Sequence, residues 1–443
     1  MNDDTTPMLP ELPPPGPRPA DKDGDSAPRY ETANRTQLEL TPTDLEAQLP
    51  PGHAARLVWR FVEGLDLSAF YAAIKAREGW AGRPAIDPKI LIALWLYATI
   101  DGVGSAREVD RLCYSHDAYR WIRGGVSVNY HTLSDFRVAH EAALDDLLTQ
   151  SIATLRHRGI VTLARVAQDG TRVRASAGVG SFRREGTLRA CLKDAQQLVA
   201  RTKRQEDGGL TRSEAAQARA AADRVARVEE ALAELPAVAA AKARSASKRK
   251  DRPPTEARAS TTDPDARVMK MCDGGYRPAY NVQFATDHDS DAIVGVAVTN
   301  AGSDQQELVP MLTQIEARVG RPGTLLVDGG YVMHTAIDEA TAREVCLLAP
   351  VPHQRGSEEP VPVQRTDSPA VAAWRARMQT DEAKQQYRHR GAIAERINAD
   401  TRTHRTLARI LVRGLPKVQA WARWVALAHN LMRSMELVPH LMT

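Results

Sequence analysis

Apolar positions recur every three or four residues from residue 51 to residue 160, a period that predicts helices. One helix is predicted at residues 89–99, because Asp87 and Pro88 supply an N-cap and a first-turn proline. Ser105 is placed to cap the next helix. Helices joined by short glycine turns suit a helix-turn-helix DNA-binding unit or a plain helical scaffold, and both interpretations remain open.

After residue 160 the pattern changes to alternating strands and helices. Apolar runs that end at Asp169 and Asp328 predict two strands, each with a carboxylate at its end. Further strands are predicted at residues 279–285, 292–298 and 345–349, and helices at 304–319, 334–343 and 418–432. A hairpin of strands followed by strand–helix alternation indicates a mixed α/β sheet.

Two stretches depart from this pattern. Residues 1–50 are rich in Pro, Asp and Thr, which predicts a disordered leader. Residues 183–260 hold 18 Lys and Arg against 11 Asp and Glu, with leucines spaced for a helical hairpin. This region is either a solvated helical insertion or a clamp on a phosphate backbone, where such charge gives salt-dependent affinity without sequence information.

Composition excludes several classes of protein. The 443 residues leave room for two or three domains. The sequence has no apolar run near the roughly 18 residues of a membrane span, and its start lacks the order of a signal peptide. Its four cysteines form no CxxC pair, which argues against a zinc site and fits a reducing cytoplasm. A Walker-type phosphate loop and an HExxH motif are missing as well.

Three acidic residues have the most informative surroundings. Asp169 and Asp328 each follow an apolar run and precede glycine, and Glu395 lies in a stretch with helical character. A lone Asp-Gly pair is usually a turn, but an apolar run before it places the carboxylate at a strand end. Two such carboxylates and a third on a helix suit hard divalent cations and phosphodiester chemistry. Caps or turns are the favoured interpretation for three other acids, Asp263, Asp265 and Asp304.

The order of several short motifs is more specific than any one of them. They are Asp169-Gly-Thr-Arg-Val-Arg-Ala175, Thr262-Asp-Pro-Asp-Ala-Arg267, Tyr280-Asn-Val-Gln283, Val327-Asp-Gly-Gly-Tyr331 and Tyr387-x2-Arg390-x4-Glu395. Over residues 55–435 the sequence resembles DDE-type bacterial insertion-sequence transposases, which have a helical N-terminal domain and a ribonuclease-H-like catalytic core.

The resemblance implies an α/β ribonuclease-H-like core at residues 161–435 with a helical, basic insertion at 183–260, after an all-α domain at 51–160. It implies that Asp169, Asp328 and Glu395 hold two Mg²⁺ ions, with Mn²⁺ as a possible substitute. Family members use one ion to activate water or a 3′-hydroxyl and the other to stabilise the leaving oxygen.

The resemblance also implies a set of DNA contacts. Tyr387 and Arg390 match a Tyr-Arg-Glu-Lys signature, and Arg402 stands seven residues after Glu395, on the same helical face. The helix predicted to continue after Glu395 carries a basic face with Arg396, Arg402, Arg405 and Arg409, which is either solvated or bound to DNA. The residues expected to contact DNA are Tyr387, Arg390, Arg402, Arg405 and Arg409, with Lys248, Arg249 and Lys250 of the insertion.

Three functions remain possible at this point. The first is an active transposase that binds double-stranded DNA at element ends and target as a homo-oligomer, in the cytoplasm at the nucleoid. The second is a catalytically idle DNA-binding protein of transposase origin, against which the presence of all three acids speaks. The third is a ribonuclease-H-like nuclease with other substrates, for which the N-terminal helices and basic insertion are unexpected.

Overall fold

The computed structural model describes residues 44–76, 84–204, 211–247, 255–354 and 356–437. The described residues from Leu45 onward form one compact unit. Most of the predicted leader lies outside the described residues, as do Lys248, Arg249 and Lys250 of the predicted basic loop. Among the described helices, none combines the length and apolar character that a membrane crossing requires.

Seven helices precede the main sheet in the described part of the chain. They are α1 (Ala54–Glu63), α2 (Ser68–Ala72), α3 (Pro88–Ile100), α4 (Ala106–Ser115), α5 (Asp117–Arg123), α6 (Tyr130–Ala139) and α7 (Glu141–His157). Asp87 caps α3 by accepting a hydrogen bond from the Lys89 amide at 2.9 Å. Ser105 accepts one from the Glu108 amide at the start of α4. Both predicted helix starts are therefore confirmed.

Eight strands are described. They are β1 (Arg165–Arg174), β2 (Phe182–Arg183), β3 (Ala259–Ser260), β4 (Arg267–Lys270), β5 (Tyr276–Asp287), β6 (Ile293–Thr299), β7 (Thr324–Leu326) and β8 (Cys346–Leu348). Within the described residues six of them form one sheet. Five follow the order β4-β5-β1-β7-β8, and the sixth, β6, pairs with β5 as well. β5 runs antiparallel to β1, β4 and β6, whereas β1, β7 and β8 are parallel. The predicted mixed α/β sheet is confirmed.

The remaining helices flank or follow the strands. They are α8 (Glu185–Arg204), α9 (Arg212–Ser247), α10 (Leu308–Val319), α11 (His334–Ala342), α12 (Pro369–Arg377), α13 (Asp381–Thr403) and α14 (Leu415–Leu437). α8 and α9 pack together as the predicted hairpin, around a small apolar core that includes Leu188, Val228 and Leu235. The short β2–β3 ladder joins the chain on either side of that hairpin.

α14 connects the first helices with the sheet. It packs against α3, α7 and β6, and one hydrophobic core runs through all of them. Arg137 of α6 is buried between two indole rings, with its guanidinium carbon 4.4 Å from the Trp95 ring centroid and 4.5 Å from that of Trp421. Such stacking compensates for part of the desolvation of the guanidinium.

Three predicted boundaries are wrong in ways that affect the site. Asp169 lies midway along β1, because β1 pairs with β5 as far as Arg174 and so extends past the end of β7. α10 begins at Leu308 and not at 304. α13 ends at Thr403, so Arg405 and Arg409 lie in the segment after the helix.

Candidate active site

Asp169 and Asp328 lie close together because of the sheet register. β1 and β7 are parallel and pair Ala167 with Leu326. Asp169 and Asp328 each follow two residues after this pair, so the register places them side by side. The Arg390 guanidinium of α13 contacts both. Its Nη2 lies 2.7 Å from Asp169 Oδ1 and 3.8 Å from Asp328 Oδ2. The fold thus brings together two acids that are 159 positions apart in the sequence.

Asp169 is held on both of its carboxylate oxygens by α13. Arg390 donates to Oδ1, and Asn398 Nδ2 donates to Oδ2 at 2.7 Å. Burial raises the pKa of Asp169 above its ordinary value, Arg390 opposes that rise, and the negative charge of Asp328 adds to it. Asp169 is therefore a largely buried acid whose charged form is favoured by the Arg390 guanidinium.

Asp328 is more exposed and is shaped by its own turn. It caps a short 3₁₀ helix at Gly329–Tyr331, where its Oδ1 accepts a hydrogen bond from the Gly330 amide at 2.7 Å. A Cβ atom on Gly330 would lie 2.9 Å from that same oxygen, so a larger residue would push the carboxylate aside. This close approach explains the second glycine after Asp328. A Cβ atom on Gly329, which follows Asp328 directly, would have only Pro350 within 4 Å, at 3.8 Å.

Behind Gly170 lies a hydrogen-bonded group of polar side chains. Asn281 and Gln283 of β5 both donate to Asp304 Oδ1 at 2.7 Å, and the Tyr331 hydroxyl donates to Gln283 Oε1. A Cβ atom on Gly170 would lie 2.5 Å from that Asp304 oxygen. The missing side chain is what lets this group pack against β1.

The N-cap prediction for Asp304 is wrong. Glu307 occupies the residue before α10, and the Asp304 side chain turns instead to the β5 amides. Asp304 and Asn398 are the residues that sequence reasoning missed. A signal existed for Asp304, because Asn281 and Gln283 lie two residues apart in an identified motif. This spacing places both amides on one face of a strand, where they need an acceptor.

Glu395 lies beside this cluster. It is exposed and lines a cleft of about 920 Å³ that also includes Gly170, Arg172, Lys270 and Arg402. On an ideal helix Glu395 points about 140° away from Arg390. Ile393, Ile397 and Thr401 bury the Arg390 side of α13 in the core. In the described part of the chain, no three His, Cys, Asp or Glu side chains are grouped to hold a metal ion.

Asp169 and Asp328 are the two residues here whose carboxylates could hold a divalent cation. An oxygen of each lies within 3.8 Å of Arg390 Nη2, so a cation bound by both would take the place of that positive group. An all-oxygen donor set of this kind suits Mg²⁺ or Mn²⁺. Glu395 does not complete the set in this arrangement, and its role as a ligand stays a prediction.

The other predicted DNA-contacting residues differ in how accessible they are. Tyr387 is half-buried beside Arg390, and burial raises the pKa of its phenol. Arg402 faces the cleft, with both terminal nitrogens 3.6 Å from Cys272 Sγ, and this contact lowers the pKa of the thiol. Arg409 is exposed after α13.

Arg405 is directed into the protein. Its Nη1 donates to the Ile100 carbonyl at 2.9 Å, its Nε lies 3.4 Å from Asp400 Oδ2, and its side chain is 12% exposed. These contacts tie the segment after α13 to the end of α3. Arg405 therefore has a structural role, and its contact with DNA stays a prediction.

Two family models match the chain. One, described as a transposase DDE domain, matches residues 340–435, and the other, described as a transposase domain (DUF772), matches residues 43–139. The first segment contains Glu395, whereas Asp169 and Asp328 lie outside both. No curated protein and no solved structure matches the chain. Together the two matches, which cover less than half of the 443 residues, indicate a DDE-type insertion-sequence transposase.

Proposed function

We propose that the protein binds the terminal inverted repeats of its element, cleaves DNA strands there and joins them to target DNA. The observation that supports this most strongly is the approach of Asp169 and Asp328 to one shared cationic group, Arg390. The site opens beside a cleft that carries Arg172, Lys270 and Arg402, whose positive charges suit a phosphate backbone.

The proposed core is ribonuclease-H-like. Its support is the order of five strands, β6-β5-β1-β7-β8, in which the first three are antiparallel neighbours and the last three are parallel. In this arrangement the acid of the central strand meets the acid that follows the next parallel strand. Asp169 and Asp328 occupy those two positions.

The proposed ligands of the divalent cation are three acidic residues. Asp169 and Asp328 would hold the cation, and Glu395 would join them from the cleft side once α13 shifts. Mg²⁺, with Mn²⁺ as substitute and two ions in number, would supply activation of the attacking hydroxyl and stabilisation of the leaving oxygen. Arg390 and Asn398 keep Asp169 oriented, and Arg390 neutralises the charge shared by the two aspartates.

DNA contact is proposed for the accessible basic residues. Arg402, Arg172 and Lys270 line the cleft, and the exposed Arg409 follows Ala408, another residue that lines it. Their charges would add salt-dependent affinity that does not depend on base sequence. Pairing of two element ends would require a homo-oligomer on DNA, acting in the cytoplasm at the nucleoid.

The test is strand cleavage by the purified full-length protein on DNA that carries the element ends, with Mg²⁺ or Mn²⁺. Asp169→Asn, Asp328→Asn and Glu395→Gln are each expected to abolish cleavage and to leave the gel shift on the same DNA intact. Glu382→Gln is the matched control, because Glu382 is an exposed acid in the first turn of the same helix. Near-wild-type cleavage by one of the three variants would remove that residue from the site.

One observation favours a second candidate, a catalytically idle DNA-binding protein of transposase origin. Asp169 has both oxygens engaged by α13, and the described residues include no three His, Cys, Asp or Glu side chains placed to hold a metal ion. A gel shift on the element ends with no metal-dependent nicking would support that candidate and contradict the first.

A further inference from the structure

Asp304 is fixed next to the proposed site by two amide donors. Asn281 and Gln283 hold its Oδ1 from one face of β5, opposite Arg172 and Gly170 of β1. The side chain of Asp304 is 17% exposed. Because Gly170 has no side chain, the carboxylate lies directly against the residue that follows Asp169.

The same carboxylate reaches toward Asp328. A Cβ atom placed on Gly330 would lie 2.9 Å from Asp328 Oδ1 and 3.9 Å from Asp304 Oδ2. Tyr331, which ends the turn that Asp328 caps, donates to the Gln283 amide that holds Asp304. Asp304 is therefore connected to both acids of the proposed site.

A structural role alone does not explain a negative charge here. The two amides need an oxygen acceptor, and a neutral amide oxygen could accept both hydrogen bonds. Burying a carboxylate instead costs desolvation free energy. Arg172 Nη2, the cationic group beside it, is 3.9 Å from Oδ2, and the charge of Asp304 also raises the pKa of Asp169.

A second, independent feature is the Asn281 side chain. It is 1% exposed, and its Oδ1 has no hydrogen-bond donor among the described residues. A Cβ atom on Gly170 would lie 2.9 Å from that oxygen. The surroundings of Gly170 thus combine a charged carboxylate with an unpartnered neutral oxygen.

We propose that Asp304 supplies a further negative charge to the site of Asp169 and Asp328 and strengthens its affinity for a divalent cation. Asp304 acts through these two residues and is a positioning and charge-supplying residue. The inference rests on the proposed function, because it assumes that the two aspartates bind the cation.

The test is Mn²⁺ binding by the full-length protein without DNA, measured through the electron paramagnetic resonance signal of the free Mn²⁺. Asp304→Asn keeps an oxygen for both amides and removes the charge. We expect its Mn²⁺ affinity to fall about tenfold, which is the order of effect expected when one unit charge near a bound cation is removed close to a protein surface. Its urea midpoint should stay the same or rise, because repulsion of Asp169 is relieved.

A merely structural role predicts the opposite pair of results, a lower urea midpoint with unchanged Mn²⁺ affinity, and that pair would overturn the inference. Arg172→Gln is the second variant and does not depend on how Asp304→Asn folds. It removes the cation beside Asp304, so we expect tighter Mn²⁺ binding, and unchanged binding would count against the proposal. Asp289→Asn, at a 42% exposed acid paired with Arg165, is the control and should bind as wild type does.

Asp169→Asn distinguishes failure of the proposed function from failure of the inference about Asp304. If it binds Mn²⁺ as tightly as wild type, the aspartates are not the cation site and the proposed function fails together with the inference. If Asp169→Asn loses Mn²⁺ while Asp304→Asn keeps wild-type affinity, the proposed function stands and the inference about Asp304 is overturned.

Discussion

Arg390→Gln removes the positive charge that Asp169 and Asp328 share. The Arg390 and Asp169 side chains are 14% and 23% exposed, and Asp328 is 41% exposed. Breaking a fully buried ion pair costs about 3–5 kcal/mol and an exposed pair below about 1 kcal/mol, so we expect a loss of about 2 kcal/mol in the free energy of unfolding. The assay is urea denaturation of the metal-free protein.

The loss should depend on pH, and its sign follows from Asp169. Burial already raises the pKa of this carboxyl above 3.8, and Arg390 is the group that opposes the rise most strongly. Without Arg390 the pKa rises further. A carboxyl with a higher pKa in the folded than in the unfolded chain gives stability at low pH that is lost as pH rises through the folded pKa, so the variant should lose more at about pH 7 than at about pH 5.

Mg²⁺ should restore part of that stability at neutral pH, because the cation replaces the missing charge and binds only the folded chain. Arg396→Gln is the matched control on the same helix. Arg396 is 59% exposed, and its partner Asp291 keeps a second ion pair with Arg433, so the expected loss is below about 1 kcal/mol. Equal losses for Arg390→Gln at both pH values, or no loss, would refute this account of the site.

Two further predictions concern Gly170 and Cys272. Gly170→Ala should lower the free energy of unfolding by about 1–3 kcal/mol, because the new Cβ would lie 2.5 Å from an Asp304 oxygen. Gly178→Ala, with no atom within 4 Å of its Cβ, should be near neutral by the same urea assay. Cys272 should be alkylated rapidly near neutral pH and more slowly in Arg402→Met, measured by peptide mass spectrometry, because the guanidinium lowers the thiol pKa. Buried Cys113, whose pKa is raised to about 12, should stay unmodified in the folded protein, and equal labelling of both thiols would contradict the assignment.

Local signals in the sequence predicted much of the fold. The caps at Asp87 and Ser105 act within three residues of themselves, so they can be identified without knowing the rest of the chain. Apolar runs before Asp169 and Asp328 predicted two strands, β1 and β7, that prove to be neighbours. The end of β1 was not predictable in this way, because it is set by pairing with β5 more than a hundred residues later.

The parts of the site that sequence reasoning missed depend on long-range packing. Asp304 resembles a helix cap locally, and its actual partners lie about twenty residues earlier on β5. Asn398 belongs to no motif, and its contact with Asp169 follows from how α13 rotates when Ile393 and Ile397 enter the core. That rotation also directs Glu395 into the cleft, which helical spacing alone does not reveal.

We propose that Asp169 and Asp328 form the cleaving site of an active transposase. Excision of the element from a donor plasmid, with wild-type protein compared with Asp169→Asn, tests it most directly. We expect excision by wild type and none by Asp169→Asn, with both proteins present in equal amounts and equally able to shift end DNA. Excision by Asp169→Asn at the wild-type frequency would contradict the claim.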